Sequence, residues 1–125
     1  MLTLQTREAQ QVAVLDIEGR LVGGPETKDV CARVRDLVAG GRTRILLNME
    51  GVPWANSLGI GTLVSCYATA RRQGVQLELC CLSTRIEMIL RTEKLIPVLF
   101  DPYPTEAEAL AGFEKTSLED HPSPE

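Results

Sequence analysis

The chain has 125 residues, of which 44% are hydrophobic and 24% charged, and its formal net charge is −4. This length fits one domain with a sizeable core, and the composition is ordinary for a globular domain. A negative net charge with scattered basic residues argues against nucleic acid as a partner. No apolar run approaches the roughly 20 residues that a membrane-spanning helix needs. The N-terminus also lacks signal-peptide features, so we expect a cytoplasmic protein that does not bind membranes.

The first half of the chain predicts a hairpin, a helix and a buried strand. Residues 2–8 and 11–18 alternate in polarity and are separated by a tight connection, which is typical of an antiparallel hairpin. A helical stripe follows, with a proline near its start, and it ends at Gly40. The strand predicted over 43–49 has a continuous apolar centre, which indicates burial on both faces.

The second half continues this alternation of strand and helix. A helix from about Leu58 to Gln73 precedes the clearest strand, 75–81, in which apolar and polar residues alternate. A capping-box pattern begins a short helix at Thr84, and a last edge strand is expected over 96–100. A second capping pattern begins the final helix at Thr105.

This order of elements predicts a single α/β domain over residues 1–115. We expect a mixed sheet of four or five strands, with an N-terminal antiparallel hairpin, parallel later strands and about four helices. The polar tail, 116–125, contains the only histidine, His121, and is expected to be disordered. In such sheets, functional loops gather beyond the carboxyl ends of the parallel strands, and the loop over 49–56 is one of these.

The four cysteines are Cys31, Cys66, Cys80 and Cys81, and none of them belongs to a CxxC pair. The last two are neighbours in a predicted strand, where their side chains should point to opposite faces. We interpret all four as small core or near-core thiols rather than metal ligands or a disulfide framework. We therefore expect neither a metal nor a cofactor.

The most informative segment is 56–61, Asn-Ser-Leu-Gly-Ile-Gly, where a buried strand leads into a helix. Gly59 and Gly61 each cost about 1 kcal/mol relative to alanine in a helix interior. Such glycines are expected where another backbone, a partner or an anion comes close. Ser57 lies where the free N–H groups of a helix terminus would favour a phosphate. The plain alternative is that Ser57 only caps the helix.

An enzymatic function fits the sequence poorly. No GxSxG motif surrounds Ser57. Because His121 lies in the predicted tail, a Ser–His–Asp triad would require this segment to fold back onto the domain. No group of His, Cys, Asp and Glu has metal-ligand spacing. The segment 56–61 also lacks the third glycine of a dinucleotide-binding loop. We expect no catalytic residue, and small-ligand sensing or hydrolysis stays an alternative.

With these elements in order, the chain resembles a STAS domain of the anti-sigma factor antagonist type over about residues 2–114. The resemblance rests on the strand 45–48 leading to 56–61, on Gly74-Val75-Gln76-Leu77, and on the short helix before 95–100. The family motif is Asp-Ser-(Ser, Ala or Thr)-Gly-(Leu or Ile)-Gly, and a partner kinase that doubles as the anti-sigma factor phosphorylates its first serine.

Carried over residue by residue, Ser57 matches this serine, Gly59 and Gly61 match the two glycines, and Asn56 stands in place of the usual aspartate. The resemblance implies a protein that binds an anti-sigma factor serine kinase until Ser57 is phosphorylated. A phosphatase or other STAS proteins are further expected partners, and a monomer or weak homodimer is expected. The expected partner-binding residues are Trp54, Asn56, Ser57, Leu58, Gly59 and Gly61. Because Asn56 lacks the charge of aspartate, the alternative is a non-catalytic scaffold subunit of a larger signalling assembly that is not phosphorylated.

Overall fold

A computed structural model describes the backbone of residues 2–119 and the side chains of residues 2–114. The described residues form four strands and four helices, in the order β1 (Thr3–Ala9), β2 (Val12–Glu18), α1 (Pro25–Ala39), β3 (Arg44–Gly51), α2 (Ser57–Arg72), β4 (Gln76–Cys80), α3 (Thr84–Thr92) and α4 (Glu106–Glu119). The strands make one mixed sheet in the order β1-β2-β3-β4. The first pair is antiparallel and the other pairs are parallel, which confirms the predicted α/β fold.

A two-residue turn closes the N-terminal hairpin. Gln10 and Gln11 have positive φ angles of 52° and 67°. Positive φ at both central residues is the conformation of a type I′ turn, whose twist matches that of paired strands. The tight connection expected between the first two strands is therefore confirmed.

Helices cover both faces of the sheet. The larger core lies between one face and the helices α1, α2 and α3. The smaller core lies on the other face, where Leu110 and Phe113 of α4 pack with Val14. In β3, Leu46 belongs to the smaller core and Leu47 to the larger one. Burial on both faces explains the continuous apolar centre of this strand.

A polar network fastens the start of α4 to the sheet. Arg7 Nε donates to Asp16 Oδ2 at 2.6 Å, and the Arg7 guanidinium also donates to Glu106. Asn48 Nδ2 donates to Glu106 Oε1 at 3.0 Å, while Asn48 Oδ1 accepts from Glu50 N at 3.0 Å. The hydrogen bonds from Arg7 and Asn48 lower the pKa of Glu106. Three strands and α4 therefore share one set of charged and amide groups.

The edge strand predicted over 96–100 is wrong. This segment forms turns, and Phe100 N donates to the carbonyl oxygen of the preceding Leu95 at 2.9 Å instead of pairing with β4. Pro97 has no N–H to donate to a strand ladder, which disfavours a strand here. After this segment, Tyr103 forms an isolated parallel bridge with Cys80 of β4, and its N–H donates to Leu79 O at 3.0 Å.

The end of β4 corrects a second prediction. Cys81 has a φ of 62°, and its sulfur lies 3.5 Å from the Cys80 sulfur. The strand ends at Cys80. Cys81 is therefore outside the strand, and the two side chains do not point to opposite faces of the sheet. Both residues join the smaller core beneath α4.

Two helix starts can be compared with their predicted caps. Ser83, not Thr84, caps α3, because Ser83 Oγ accepts from Ile86 N at 3.1 Å. Serine and threonine cap helices by the same bond, so two adjacent candidates are hard to separate by pattern. The cap predicted at Thr105 is confirmed, since Thr105 Oγ1 accepts from Glu108 N at 3.1 Å.

The last helix passes the boundary predicted at residue 115, because α4 extends to Glu119. The rest of the predicted tail, 120–125 with His121, lies outside the described residues, so its disorder stays a prediction. Within residues 2–119, the structure has no helix with the length and apolar character needed to cross a membrane.

Candidate functional site

The segment that follows β3 is bound to the segment that follows β2. Leu21 N donates to Trp54 O at 3.1 Å, and Asn56 N donates to Leu21 O at 3.0 Å. Leu21 and Ala55 form an isolated parallel bridge between these two bonds. Both segments lie beyond the carboxyl ends of parallel strands, the edge at which α/β sheets carry function. The pairing fixes the position at which α2 begins.

Both ends of the Asn56 amide are bound. Asn56 Oδ1 accepts from Gly59 N at 2.9 Å, which makes Asn56 the N-cap of α2. Asn56 Nδ2 donates to Val22 O at 3.0 Å and so ties the start of α2 to the segment after β2. An aspartate would cap the helix equally well but has no N–H to donate to Val22. At position 56, asparagine therefore makes a stabilising hydrogen bond that aspartate could not make.

Gly59 lies directly against the backbone of Leu21. A Cβ atom built at position 59 would lie 1.9 Å from the carbonyl oxygen of Leu21, a separation that no real side chain adopts. Of the three explanations considered for the glycines, close approach of another backbone applies to Gly59. Gly61 differs, since it is exposed and a Cβ there would meet nothing within 4 Å beyond its chain neighbours and the adjacent backbone of its own helix. Nothing in the structure explains a glycine at position 61.

Ser57 is the first residue of α2, and it is exposed. Because Asn56 supplies the cap, the alternative that Ser57 is the helix cap is wrong. The first turn of α2 carries no acidic residue, so no side chain there offsets the positive end of the helix dipole. A phosphate carried by this hydroxyl would lie beside the helix terminus.

A recess of about 340 Å³ adjoins Ser57 between α2 and the end of α3. Its lining is mainly apolar and comprises Ala55, Asn56, Ser57, Ile60, Gly61, Ile89, Glu93 and Leu95. We call this cavity the serine recess. Its apolar lining suits an aliphatic side chain of a partner, whereas Glu93 would repel a phosphate placed within it.

Two exposed apolar side chains border the start of α2. Leu58 is 68% exposed and Val22 is 39% exposed. Gly23 has a φ of 91°, and a Cβ at this position would lie 2.8 Å from the Leu58 Cβ. The missing side chain of Gly23 thus leaves room for Leu58. We call Val22 and Leu58 the apolar rim, and side chains of this kind are typical of protein contacts rather than of sites for small anions.

The structure places the predicted partner-binding residues at four different locations. Asn56, Ser57 and Gly61 line the serine recess, Leu58 belongs to the apolar rim, and Gly59 is buried. The remaining predicted residue, Trp54, lies in a neighbouring cleft of about 570 Å³, which is also lined by Arg20, Pro53 and Arg85.

Sequence analysis missed the α3 side of the serine recess and the role of Val22. Ile89 and Leu95 line the recess but lie more than 30 positions after Ser57, so their contribution follows only from the fold. For Val22 a local signal existed, because a branched apolar residue stands next to the Gly23–Gly24 turn, where polar residues are usual.

A larger cleft, of about 790 Å³, includes the polar network that fastens α4. Arg7 donates to the carboxylates of Asp16 and Glu106, and Asn48 donates to the second of these. These pairs account for Arg7, Asp16 and Glu106 in the lining without a ligand. Within the part of the chain that the structure describes, no group of three His, Cys, Asp or Glu residues could hold a metal ion.

Comparison with known proteins assigns the fold to a family. A family model described as the STAS domain matches residues 3–109. The chain belongs to the STAS domain family. No curated protein matches the sequence significantly.

Several solved structures are similar to this STAS domain. An anti-sigma factor antagonist from Mycobacterium paratuberculosis is 17% identical, with a TM-score of 0.76 over 90% of this chain and 93% of its own. The phosphorylated form of the Bacillus cell fate determinant SpoIIAA is 18% identical, with a TM-score of 0.67 over 89% and 99%. A sulfate transporter family protein from Wolinella succinogenes is 22% identical, with a TM-score of 0.70 over 88% and 89%. At these identities the likeness shows the fold, and function must be argued from the site.

Replacing Asn56 tests whether both hydrogen bonds of its side-chain amide stabilise the fold. Asn56→Ala removes the cap and the bond to Val22, and we expect it to lower the free energy of unfolding by about 2 kcal/mol. Asn56→Asp keeps the cap and adds a charge that the helix terminus favours, so it should cost about 1 kcal/mol or less. Urea unfolding measures both variants, and equal losses would contradict a separate contribution from the amide N–H.

Proposed function

We propose that this STAS domain is an anti-sigma factor antagonist that is switched by phosphorylation of Ser57. In the unmodified state it binds an anti-sigma factor serine kinase, which frees a sigma factor. The observation that carries the proposal is the exposed Ser57 at the first position of α2, where Asn56 already supplies the cap. Because the fold does not need this hydroxyl for capping, a kinase can modify it without removing a helix-stabilising bond.

The serine recess and the apolar rim form the proposed docking surface. An apolar side chain of the kinase enters the recess, while Leu58 and Val22 pack against the surrounding partner surface. Trp54 extends this contact from the neighbouring cleft. Gly59 contributes indirectly, because its missing side chain lets the Leu21 backbone approach.

Phosphorylation opposes this docking through charge. A phosphoserine carries about −1.5 to −2 charges at neutral pH, and desolvating them against an apolar surface is unfavourable. In the free protein, the N-terminus of α2 stabilises the phosphate. A coupling of about 3 kcal/mol between phosphate and partner would weaken binding more than a hundredfold.

The remaining parts of the proposal follow from this role. We place the protein in the cytoplasm, where sigma factors act, and assign it a binding function rather than catalysis. It acts as a monomer or weak homodimer, and a phosphatase or other STAS proteins are further partners. The scaffold alternative was motivated by the missing aspartate of the motif. The bond from Asn56 to Val22 gives that difference a structural reason that is compatible with phosphorylation.

Phosphorylation can be tested with an anti-sigma factor serine kinase from the same genome and ATP. We expect one phosphate on wild-type protein, located at Ser57 by peptide mass mapping, and none on Ser57→Ala. Ser65→Ala is the matched control, because Ser65 is also exposed on α2 and should leave phosphorylation unchanged. A phosphate found at another residue in the wild type would contradict the proposal.

Docking can be tested with Leu58→Gln. Because Leu58 is 68% exposed, we expect the unfolding free energy of the variant to stay within about 0.5 kcal/mol of wild type. The affinity of the variant for the kinase should fall at least about tenfold. Val98→Gln is the control, since Val98 is 73% exposed but lies after α3 and does not line the serine recess. Calorimetric titration with unphosphorylated protein measures both affinities. Unchanged affinity of Leu58→Gln would remove the apolar rim from the docking surface.

A further inference from the structure

Two cysteines from different helices meet where α1 packs beside α2. The sulfur of Cys31 lies 3.3 Å from the sulfur of Cys66, although 35 positions separate the two residues in the chain. Cys31 is partly exposed and Cys66 is fully buried, and both are free thiols. Their spacing in the chain matches no known thiol motif, so only the fold reveals this contact.

We propose that Cys31 and Cys66 form a peroxide-sensitive thiol pair that closes into an intramolecular disulfide between α1 and α2. This inference goes beyond the proposed phosphorylation switch and does not depend on it. A disulfide requires the sulfurs to be about 2.05 Å apart, so from 3.3 Å they must approach by only roughly 1.3 Å. Rotation of two short side chains supplies such a movement more easily than a shift of the helices would.

The surroundings make the two thiols unequal. The hydrogen bond from Cys66 and the nearby charge of Arg35 lower the pKa of Cys31 to about 7, although partial burial opposes this. The contact with Cys31 and burial raise the pKa of Cys66. Since the thiolate is the reactive form, the accessible Cys31 is the attacking residue at neutral pH, and the buried Cys66 stays protonated until it resolves the intermediate.

Hydrogen peroxide is the oxidant in this step. The Cys31 thiolate attacks one peroxide oxygen, the O–O bond breaks, and Cys31 becomes a sulfenic acid while hydroxide leaves and takes up a proton as water. Cys66 then loses its proton, its sulfur attacks the Cys31 sulfur, and the S–O bond breaks to release a second water. The two sulfurs lose two electrons in total and peroxide gains them. Exchange with a dithiol such as dithiothreitol reverses the disulfide.

The second thiol contact in the described chain is a weaker candidate for this reaction. Cys80 and Cys81 are 3.5 Å apart, but they are adjacent in sequence, so a disulfide between them would cross-link no separate elements. Burial raises the pKa of the Cys80 thiol, which keeps it protonated at neutral pH. By contrast, a Cys31–Cys66 bond closes a loop that contains β3, Ser57 and the first turns of α2, and so restricts the unfolded chain.

The proposal is tested by treating the reduced full-length protein with hydrogen peroxide near neutral pH, blocking the remaining thiols with an alkylating reagent, and mapping peptides by mass. We expect one cross-linked peptide pair that contains Cys31 and Cys66, lost on adding dithiothreitol. The midpoint temperature of unfolding should rise by roughly 5 °C or more in the oxidised protein. A double variant, Cys80→Ser with Cys81→Ser, should cross-link as the wild type does.

Single variants separate the two roles. Cys66→Ser should stop at a Cys31 sulfenic acid that dimedone traps, and Cys31→Ser should lose the cross-link and react with peroxide at least about tenfold more slowly. The proposal is overturned if oxidised wild type contains only a Cys80–Cys81 bond, only cross-links between molecules, or four unmodified thiols. Because all three outcomes are read from wild-type protein, a variant that fails to fold does not weaken the test.

Discussion

The close approach of the Leu21 backbone to α2 is the constraint on which the candidate site depends. Hydrogen bonds join Leu21 to Trp54 and Asn56, and the Leu21 carbonyl occupies the place that a side chain at Gly59 would need. This contact seats the first turn of α2 against the segment after β2. With its buried side fixed in this way, the helix holds Ser57 on its outer side.

The same arrangement divides two tasks between neighbouring residues. Asn56 satisfies the helix terminus through its side-chain oxygen and binds the adjacent segment through its side-chain nitrogen. Ser57 is thereby left exposed beside a positive helix end and the mainly apolar serine recess. In the proposed function, such a surface docks a partner while Ser57 is uncharged, and a phosphate on Ser57 favours the solvated, undocked state. Under the proposed function, folding depends on Asn56 and switching on Ser57, so the two tasks fall on adjacent residues.

The local parts of the structure could be predicted from the sequence. Strand and helix alternation, the hairpin and the start of α2 near Leu58 all follow from periodicity and turn residues within short windows. The errors came from local ambiguity. Pro97 interrupts an apolar run that otherwise suits a strand, and Ser83 and Thr84 are adjacent candidates for one cap. In both instances the local pattern fits two alternatives almost equally well, and tertiary packing decides between them.

The contacts that build the site lie far apart in sequence. Leu21 and Gly59 meet across 38 positions, and Arg7 reaches Glu106 across 99. The Cys31–Cys66 contact joins two helices with no shared motif. Periodicity indicates which face of an element is buried, but it does not say which residue of another element lies opposite. For this reason Ser57 could be identified as a candidate, while its serine recess and its supporting backbone contact could not.

The most direct test of this account compares alanine at the two glycines of α2 by urea unfolding. Gly59→Ala should lower the free energy of unfolding by at least about 2 kcal/mol, because the new methyl group would overlap the Leu21 backbone. Gly61→Ala should raise it by about 0.5 to 1 kcal/mol, since alanine favours the helix and the site is open. If both variants were as stable as wild type or more so, the Leu21 contact would not be what seats α2 and displays Ser57.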